Sequence, residues 1–419
     1  METRGTFVSV KRIAQVFFLL GVFAKQFYLL PSGSFQIGDA LMMGSMLILL
    51  VFRDWQQLKL DKRDYWLVGF VLCVIFINGI YILIYGMEYQ SDFHFHSSIL
   101  NYVYILFIVL VFRQFCEDLV FLRALRWVLQ AAILLQTVFC VLDITERYAG
   151  SRLVGTFNDP NQCAFYLMSA IFLVYLISKM TGEGHPWLWF IPVFYCIIET
   201  SSTGMMLGVA IFFVLAVVFK IINRSVKSAI ALLVVLCIVL GVVFLFATGR
   251  VQLSEGITQS LMYRRIIGKM QSFGIDDGDH SVDLDSFVHD RTLEKIVTYP
   301  DRLLYGAGEG YYDRLPAGGN DRQEIHSSVL GPLFYYGIIP CLMWFIWTGI
   351  QLKGIKRELW CVYLALIAES ITLVNNRQPF FWMIFVLAGS CLAKKDYVEK
   401  EACDEASIKI PKRIVSEMH

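Results

Sequence analysis

The segment 65–85, YWLVGFVLCVIFINGIYILIY, contains no charged side chain. About 20 apolar residues are enough to cross roughly 30 Å of hydrocarbon as a helix. Inside lipid a helix satisfies its own backbone hydrogen bonds, so helices are the expected spanning structure. The segment therefore predicts a membrane-spanning helix, and apolar segments of this kind recur along the chain.

The composition extends this prediction to the whole chain. Apolar residues make up 57% of the 419 residues and charged residues 17%, and the mean hydropathy is +0.59. A single water-soluble core cannot bury this much apolar surface. The chain is therefore predicted to be a polytopic integral membrane protein.

Charge and cysteine usage argue against nucleic-acid binding, a disulfide framework and a cysteine metal site. The formal net charge of +1 argues against nucleic acid. None of the ten cysteines lies in 248–327, the one long polar segment that is predicted to face outward, and no CxxC pair occurs. Neither a disulfide framework nor a cysteine metal site is predicted.

The predicted fold class is all-α, with about 12 transmembrane helices and one large extracytoplasmic loop. The first nine spans lie in 1–247, the loop in 248–327, the last three spans in 328–393, and a cytoplasmic tail in 394–419. The candidate spans are 12–30, 35–52, 65–85, 97–112, 127–143, 163–178, 187–199, 203–222, 228–247, 328–350, 359–375 and 379–393.

The distribution of Lys and Arg predicts the orientation. Positive residues precede span one and follow spans two, four, eight and ten, as at Arg53, Arg113, Lys220 and Lys353. Loops rich in Lys and Arg stay in the cytoplasm. Both termini are therefore predicted to be cytoplasmic, and the loop 248–327 is predicted to face outward.

The first part of the large loop contains a basic group and an acidic stretch, but its spacing does not match a metal site. Arg264 and Arg265, with Lys269, have a spacing that groups them on a helix. The acidic stretch 273–290 does not fit a calcium loop, because its glycine and closing carboxylate are misplaced. We interpret it as a solvated loop, in preference to a metal site.

The second part of the loop predicts a short helix over 290–300, with Asp290 as its N-cap and Pro300 at its end. Arg291 lies in the first turn, where a cation opposes the helix dipole unless an anion binds nearby. The glycine-rich YGAGEGYYDR follows and ends at Arg314, a candidate substrate-binding residue. Glycines allow close backbone approach to a ligand, and Tyr311 is positioned to stack on a sugar.

Two further polar groups lie on the outward side. Arg152, Asn158 and Asn161 precede span six, and Asn161 is the predicted cap of that helix. Capping explains one asparagine but not all three polar groups. His326 lies at the junction of the loop with the apolar run that follows it. It is either an interfacial side chain without a role or the working group of a site at the membrane surface.

Four stretches together resemble the O-antigen ligase and polymerase family of bacterial membrane glycosyltransferases, whose donors are undecaprenyl-diphosphate-linked glycans. They are GTFNDPNQCAFYL from 155, ETSSTGMMLGV from 199, DRTLEKIVTYPDRLLYGAGEGYY from 290 and IHSSVLGPLFYYGIIP from 325. The resemblance covers roughly 152–340 and implies a GT-C-like architecture in the bacterial inner membrane. The active site is then expected to face the periplasm.

The resemblance also implies residue roles. His326 corresponds to the base that activates the acceptor hydroxyl, and Arg291 to an arginine that holds the diphosphate. Asn158 and Asn161 match the family's asparagine motif. The family often has an arginine where this chain has Ser202. The candidates to replace it are Arg152, Arg264, Arg265 and Arg377.

The function that the resemblance implies is metal-independent, inverting polymerisation of lipid-linked repeat units into O-antigen, capsular or exopolysaccharide, without a cofactor. A ligase that transfers the glycan to lipid A core is the alternative within this class. A lipid-linked oligosaccharide flippase or another transporter is the alternative outside it. A chain-length regulator and a flippase are the expected protein partners.

Overall fold

The computed structural model describes residues 3–30, 35–52, 60–85, 92–149, 151–222, 264, 292–310, 314–315 and 324–390. Span nine (228–247), the tail 394–419 and most of the loop 248–327 lie outside these residues. The helices within them are α1 Thr3–Ala24, α2 Ile37–Val51, α3 Tyr65–Tyr85, α4 Asp92–Phe115, α5 Leu119–Leu142, α6 Pro160–Thr181, α7 Pro186–Thr200, α8 Thr203–Ile222, α9 Glu294–Thr298, α10 Arg302–Tyr305, α11 Leu330–Tyr336, α12 Ile338–Leu352, α13 Trp360–Ser370 and α14 Pro379–Ser390.

Among the described residues, five helical segments are long and apolar enough to cross a membrane: Lys62–Tyr85, Ser98–Phe115, Leu119–Leu142, Pro160–Thr181 and Thr203–Ile221. Helices α2, α7, α12 and α14 are apolar but shorter. The structure therefore agrees with an all-α membrane protein. The total of twelve spans stays a prediction.

Helix α6 lies at the centre of the bundle. Every residue from Cys163 to Ser178 is buried, so the helix is enclosed on all sides. A helix that is hydrophobic all round is typical of a core position. Helix α6 packs against α5, α7 and α8. The loop that precedes α6, which carries the asparagine motif, is thereby fixed to a buried element.

The predicted span 328–350 is interrupted in the structure. Helix α11 ends at Tyr336 and α12 begins at Ile338. Gly337 between them has a φ of +78°, and a Cβ there would lie 2.5 Å from the carbonyl oxygen of Leu304. A side chain does not fit at this close approach, and glycine tolerates the backbone conformation. The contact with the chain before the glycine-rich turn thus breaks the helix.

A two-stranded antiparallel sheet is the only strand pairing within the described residues. Strand β1 is Arg147–Tyr148 and strand β2 is Arg152–Leu153. The hairpin closes the connection between α5 and α6 and positions Arg152 above α7, which β2 contacts.

Loops that are predicted to face outward contact one another at one end of the bundle. The backbone N–H of Tyr28 donates to the carbonyl of Thr156 (3.0 Å), and that of Ser328 donates to the carbonyl of Leu373 (2.9 Å). We call this the loop end; it comprises the described parts of 25–36, 143–159, 201–202, 299–329 and 371–378. The grouping agrees with the predicted alternation, and the membrane face to which the loop end belongs stays a prediction.

At the opposite end, an ion pair is buried between α4 and the turn before α3. Arg113 Nε lies 2.6 Å from Asp64 Oδ2, and the two side chains are 7% and 0% exposed. Trp347 Nε1 donates to Asp64 Oδ1 (2.9 Å), and Arg113 Nη2 donates to the side chain of Gln351 (3.1 Å). The group joins α3, α4 and α12.

We expect Arg113→Met to lower the free energy of unfolding in detergent by about 4 kcal/mol, because it leaves Asp64 as an uncompensated buried charge. Arg12→Ala is the control. Arg12 forms a 2.9 Å pair with Asp118, but its side chain is 48% exposed. Such a pair contributes less than about 1 kcal/mol. Equal losses in the two variants would contradict the prediction.

Candidate active site

His326 lies on a short segment directly before α11, and its side chain is exposed at the loop end. The preceding residue, Ile325, is fully buried. The hydroxyl of Ser327 accepts the backbone N–H groups of Val329 (3.3 Å) and Leu330 (3.1 Å), which begin the helix. A serine in this role satisfies donors that a helix start leaves unpaired. These hydrogen bonds fix the backbone next to His326, whose side chain is exposed.

Ser328 joins the histidine segment to the loop 371–378. Its backbone N–H donates to the carbonyls of Ser370 (2.8 Å) and Leu373 (2.9 Å). Its hydroxyl donates to Leu373 (2.7 Å) and accepts the N–H groups of Asn375 (2.6 Å) and Asn376 (3.2 Å). One buried serine thus connects two segments that are more than 40 residues apart in the sequence.

Arg377 binds two glutamates at the loop end. Its guanidinium contacts Glu309 Oε2 (3.1 Å) and both carboxylate oxygens of Glu324, with 3.2 Å between Nη1 and Oε2. Tyr336 donates to Glu309 (2.6 Å) and Tyr335 donates to Glu324 (3.0 Å). We call Arg377, Glu309 and Glu324 the Arg377 triad. Consecutive tyrosines of α11 therefore each hold one carboxylate of the triad.

Arg314, a predicted substrate ligand, lies against α3. Its Cζ is 4.7 Å and 4.9 Å from the ring centroids of Tyr81 and Tyr85. Its Nη2 donates to the carbonyls of Ala307 (2.8 Å) and Glu309 (2.9 Å). Burial lowers the pKa of the Arg314 guanidinium below its ordinary value. Cation–π and carbonyl contacts of this kind fasten the glycine-rich turn to α3.

The glycines of that turn approach protein atoms. Gly308 has a φ of +67°, and a Cβ there would lie 2.4 Å from Cδ2 of Tyr81. A Cβ on Gly306 would lie 2.5 Å from the carbonyl oxygen of Tyr335. The sequence suggested close approach to a ligand, whereas the structure shows that packing against α3 and α11 already requires glycine at both positions.

Arg152, Asn161 and Ser202 form a second polar group, which we call the Arg152 group. Arg152 Nε donates to the carbonyl of Thr200 (2.9 Å), and its Nη2 donates to Asn161 Oδ1 (3.3 Å). The Ser202 hydroxyl donates to the same Asn161 oxygen (2.9 Å). Arg152 therefore lies beside the position at which the resembled family often has an arginine.

The cap of α6 differs from the prediction. Asp159, and not Asn161, accepts the first backbone N–H groups of the helix, from Asn161 (2.7 Å) and Gln162 (3.3 Å). Pro160 occupies the first turn, where its missing N–H costs nothing. Asn161 is thereby left to bind Arg152. Asn158 is exposed in the same loop.

The start of α8, directly after Ser202, packs against the loop that also binds the histidine segment. A Cβ on Gly204, two residues after Ser202, would lie 2.8 Å from Thr372 Oγ1 and 3.0 Å from Leu373 Cδ1. Leu373 is also the residue to which Ser328 binds. Loop 371–378 thus contacts both the histidine segment and the start of α8, which are separate motifs in the sequence.

The remaining predicted site residues are only partly described. Arg264 is exposed. Arg291, Arg265 and Tyr311 lie outside the described residues, as do Asp290 and the acidic stretch 273–290. Within the described ranges, no three His, Cys, Asp or Glu side chains are grouped as metal ligands would be.

The short helix after Arg291 is smaller than predicted. Helix α9 begins at Glu294 and ends at Thr298, with Leu293 as its N-cap. Lys295 is fully buried, and its Nζ donates to the carbonyl of Leu315 (3.2 Å). Val297, an apolar residue of the same helix, is 75% exposed. Helix α9 therefore buries Lys295 and exposes Val297, an orientation that the spacing of apolar residues in the sequence does not predict.

Sequence reasoning missed Glu309 and Glu324. Glu309 lies inside the glycine-rich turn and Glu324 lies two residues before His326, but neither belongs to a recognisable spacing pattern. Both are 53 or more residues from Arg377 along the chain. Only the fold brings the three together.

The chain matches no protein-family model and no curated protein sequence.

Proposed function

We propose that the chain is a membrane glycosyltransferase that polymerises undecaprenyl-diphosphate-linked repeat units, with His326 as the base. One observation carries the proposal. The histidine segment is hydrogen-bonded to loop 371–378 through Ser328, and Gly204, which lies two residues after Ser202 of the Arg152 group, packs against the same loop. A candidate base and a candidate anion ligand therefore belong to one end of the bundle and one connected set of loops.

In the proposed reaction, a hydroxyl of the acceptor sugar attacks the anomeric carbon of the donor glycan. A new carbon–oxygen bond forms as the bond from that carbon to the diphosphate oxygen breaks, which inverts the anomeric configuration. His326 takes the hydroxyl proton. Imidazole is the side chain that most often acts as a general base in enzymes near neutral pH.

The leaving group is undecaprenyl diphosphate, which departs with the electron pair of the broken bond and gains negative charge. A fixed guanidinium stabilises such a charge through charge-assisted hydrogen bonds. Arg152 is the described residue that we assign to this task. Its support is the contact with Asn161, which also binds the hydroxyl of Ser202. We assign Arg291 the same task, as the resemblance implies.

A lipid-linked donor requires a site at the membrane surface. His326 is exposed and begins a segment that continues into the apolar helices α11 and α12. The imidazole is thereby attached to the membrane-embedded part of the chain. We propose that this surface is the periplasmic face of the bacterial inner membrane.

The test is to incubate the purified protein with lipid-linked repeat units and separate the products by size. We expect a ladder of lengthened glycans with release of undecaprenyl diphosphate. Coupling of glycan to lipid A core, without a ladder, would identify a ligase. Movement of lipid-linked glycan across vesicles, without either product, would identify a transporter and contradict the proposal.

A further inference from the structure

We propose that Arg377 is a positioning residue that fixes the chain on which His326 lies, and that it does not bind the donor diphosphate. The inference rests on the proposed function and deepens it. It assigns different roles to two arginines of the loop end. Arg152 is an anion ligand, and Arg377 is part of the support of the base.

The charge of the Arg377 triad disfavours binding of a further anion. Two carboxylates and one guanidinium give a formal charge of −1, and the guanidinium lies within 3.2 Å of oxygens from both glutamates. Glu309 is only 1% exposed, so its charge is poorly screened by water. A diphosphate brought to Arg377 would meet these carboxylates, and like charges at short range repel. The triad is therefore a poor site for the donor's anion.

Contacts on both sides of His326 attach its segment to loop 371–378. Glu324 lies two residues before His326 and binds Arg377. Ser328 lies two residues after His326 and binds Leu373 and Asn375. The histidine is therefore held on both sides by the same loop, 371–378. Removing Arg377 would release one of the two attachments while leaving the other in place.

The surroundings of the triad extend this support into the bundle. Glu309 accepts the hydroxyl of Tyr336, and its own backbone N–H donates to the side chain of Asn78 on α3 (3.1 Å). Asn376, the neighbour of Arg377, donates to the hydroxyl of Tyr102 on α4 (2.9 Å). The triad and Asn376 thus connect the histidine segment to α3, α4 and α11. A base that must meet an acceptor hydroxyl at hydrogen-bond distance requires this kind of rigid support.

Arg377→Ala is the principal variant. We expect it to lower kcat for glycan extension about 100-fold, the scale of loss that a misplacement of about 1 Å produces. The Kd for undecaprenyl diphosphate should stay within about twofold of wild type, because the interaction with the leaving group is unchanged. Arg377→Lys retains a cation between the carboxylates, so we expect it to recover about tenfold of the lost kcat.

Arg63→Ala is the matched control. The Arg63 side chain is 31% exposed and that of Arg377 is 27% exposed. Arg63 pairs with Asp61 (2.5 Å) and donates to the carbonyl of Gly389 (2.6 Å) at the opposite end of the bundle. Because Arg63 contacts neither the histidine segment nor the Arg152 group, we expect the kcat and Kd of this variant to differ from wild type by no more than about twofold.

Glu324→Gln provides a second variant if Arg377→Ala does not fold. It keeps the shape of the side chain while removing the charge that binds Arg377, and we expect kcat to fall about tenfold at constant Kd. A Kd for undecaprenyl diphosphate that rises in Arg377→Ala as much as in Arg152→Ala would overturn the inference. An unchanged kcat in both Arg377→Ala and Glu324→Gln would also overturn it. Wild-type protein that neither binds undecaprenyl diphosphate nor extends glycan contradicts the proposed function itself.

Discussion

Replacing His326 with alanine is expected to lower the rate of glycan extension about 1,000-fold, since general-base catalysis typically contributes this much. The acceptor hydroxyl would then have to lose its proton to water. The His326 side chain is exposed, and the segment is held by the neighbouring Ser328. The thermal stability of the protein and its Kd for undecaprenyl diphosphate should therefore remain those of wild type. The measurement is a time course of polymer length with purified lipid-linked repeat units.

His185→Ala is the control for this variant. His185 is exposed at the opposite end of the bundle, just before α7. We expect it to extend glycan at the wild-type rate. If His326→Ala does so too, the assignment of the base is wrong.

Replacing Arg152 with alanine has the second-largest expected effect. Removal of one preorganised donor to a developing negative charge is expected to lower kcat about 500-fold. Since hydrogen bonds to charged groups are individually strong, we also expect the Kd for undecaprenyl diphosphate to rise about 30-fold. The combination distinguishes Arg152 from Arg377, for which kcat should fall at constant Kd. Binding of radiolabelled undecaprenyl diphosphate and the extension assay measure the two quantities.

A double variant tests whether Arg152 replaces the arginine of the resembled family. Arg152 and Ser202 both bind the side-chain oxygen of Asn161. Adding Ser202→Arg to Arg152→Ala should return a guanidinium to this group and recover about tenfold in kcat. Arg152→Ala protein with wild-type kcat and Kd would show that the diphosphate binds elsewhere.

Helix positions were the most predictable feature of the fold. The predicted spans 65–85 and 203–222 coincide with α3, Tyr65–Tyr85, and α8, Thr203–Ile222. Both are long apolar runs, and a helix in lipid needs no partner to satisfy its backbone. The predicted span 12–30 was less accurate, because α1 ends at Ala24. The residues beyond it bind the side chain of Gln36, which lies before α2.

Breaks within apolar runs were not predictable from local pattern. The run 328–350 is apolar throughout much of its length, yet Gly337 divides it because Leu304 approaches so closely. Helix α13 likewise ends at Ser370, whereas the predicted span continued to 375. Its next residues form the loop that binds Ser328. In both cases a distant segment decides where the helix ends.

Local sequence predicts a helical membrane protein, with which the structure agrees, and marks the stretches around Asn158 and His326 as candidate site segments, because apolar length and short motifs are local properties. Only the packed bundle shows which charged groups meet. It placed Arg152 beside Ser202 through Asn161, and Arg377 between Glu309 and Glu324. Such pairings depend on how helices pack and where loops cross. Residues far apart in the chain become neighbours only after the bundle has formed.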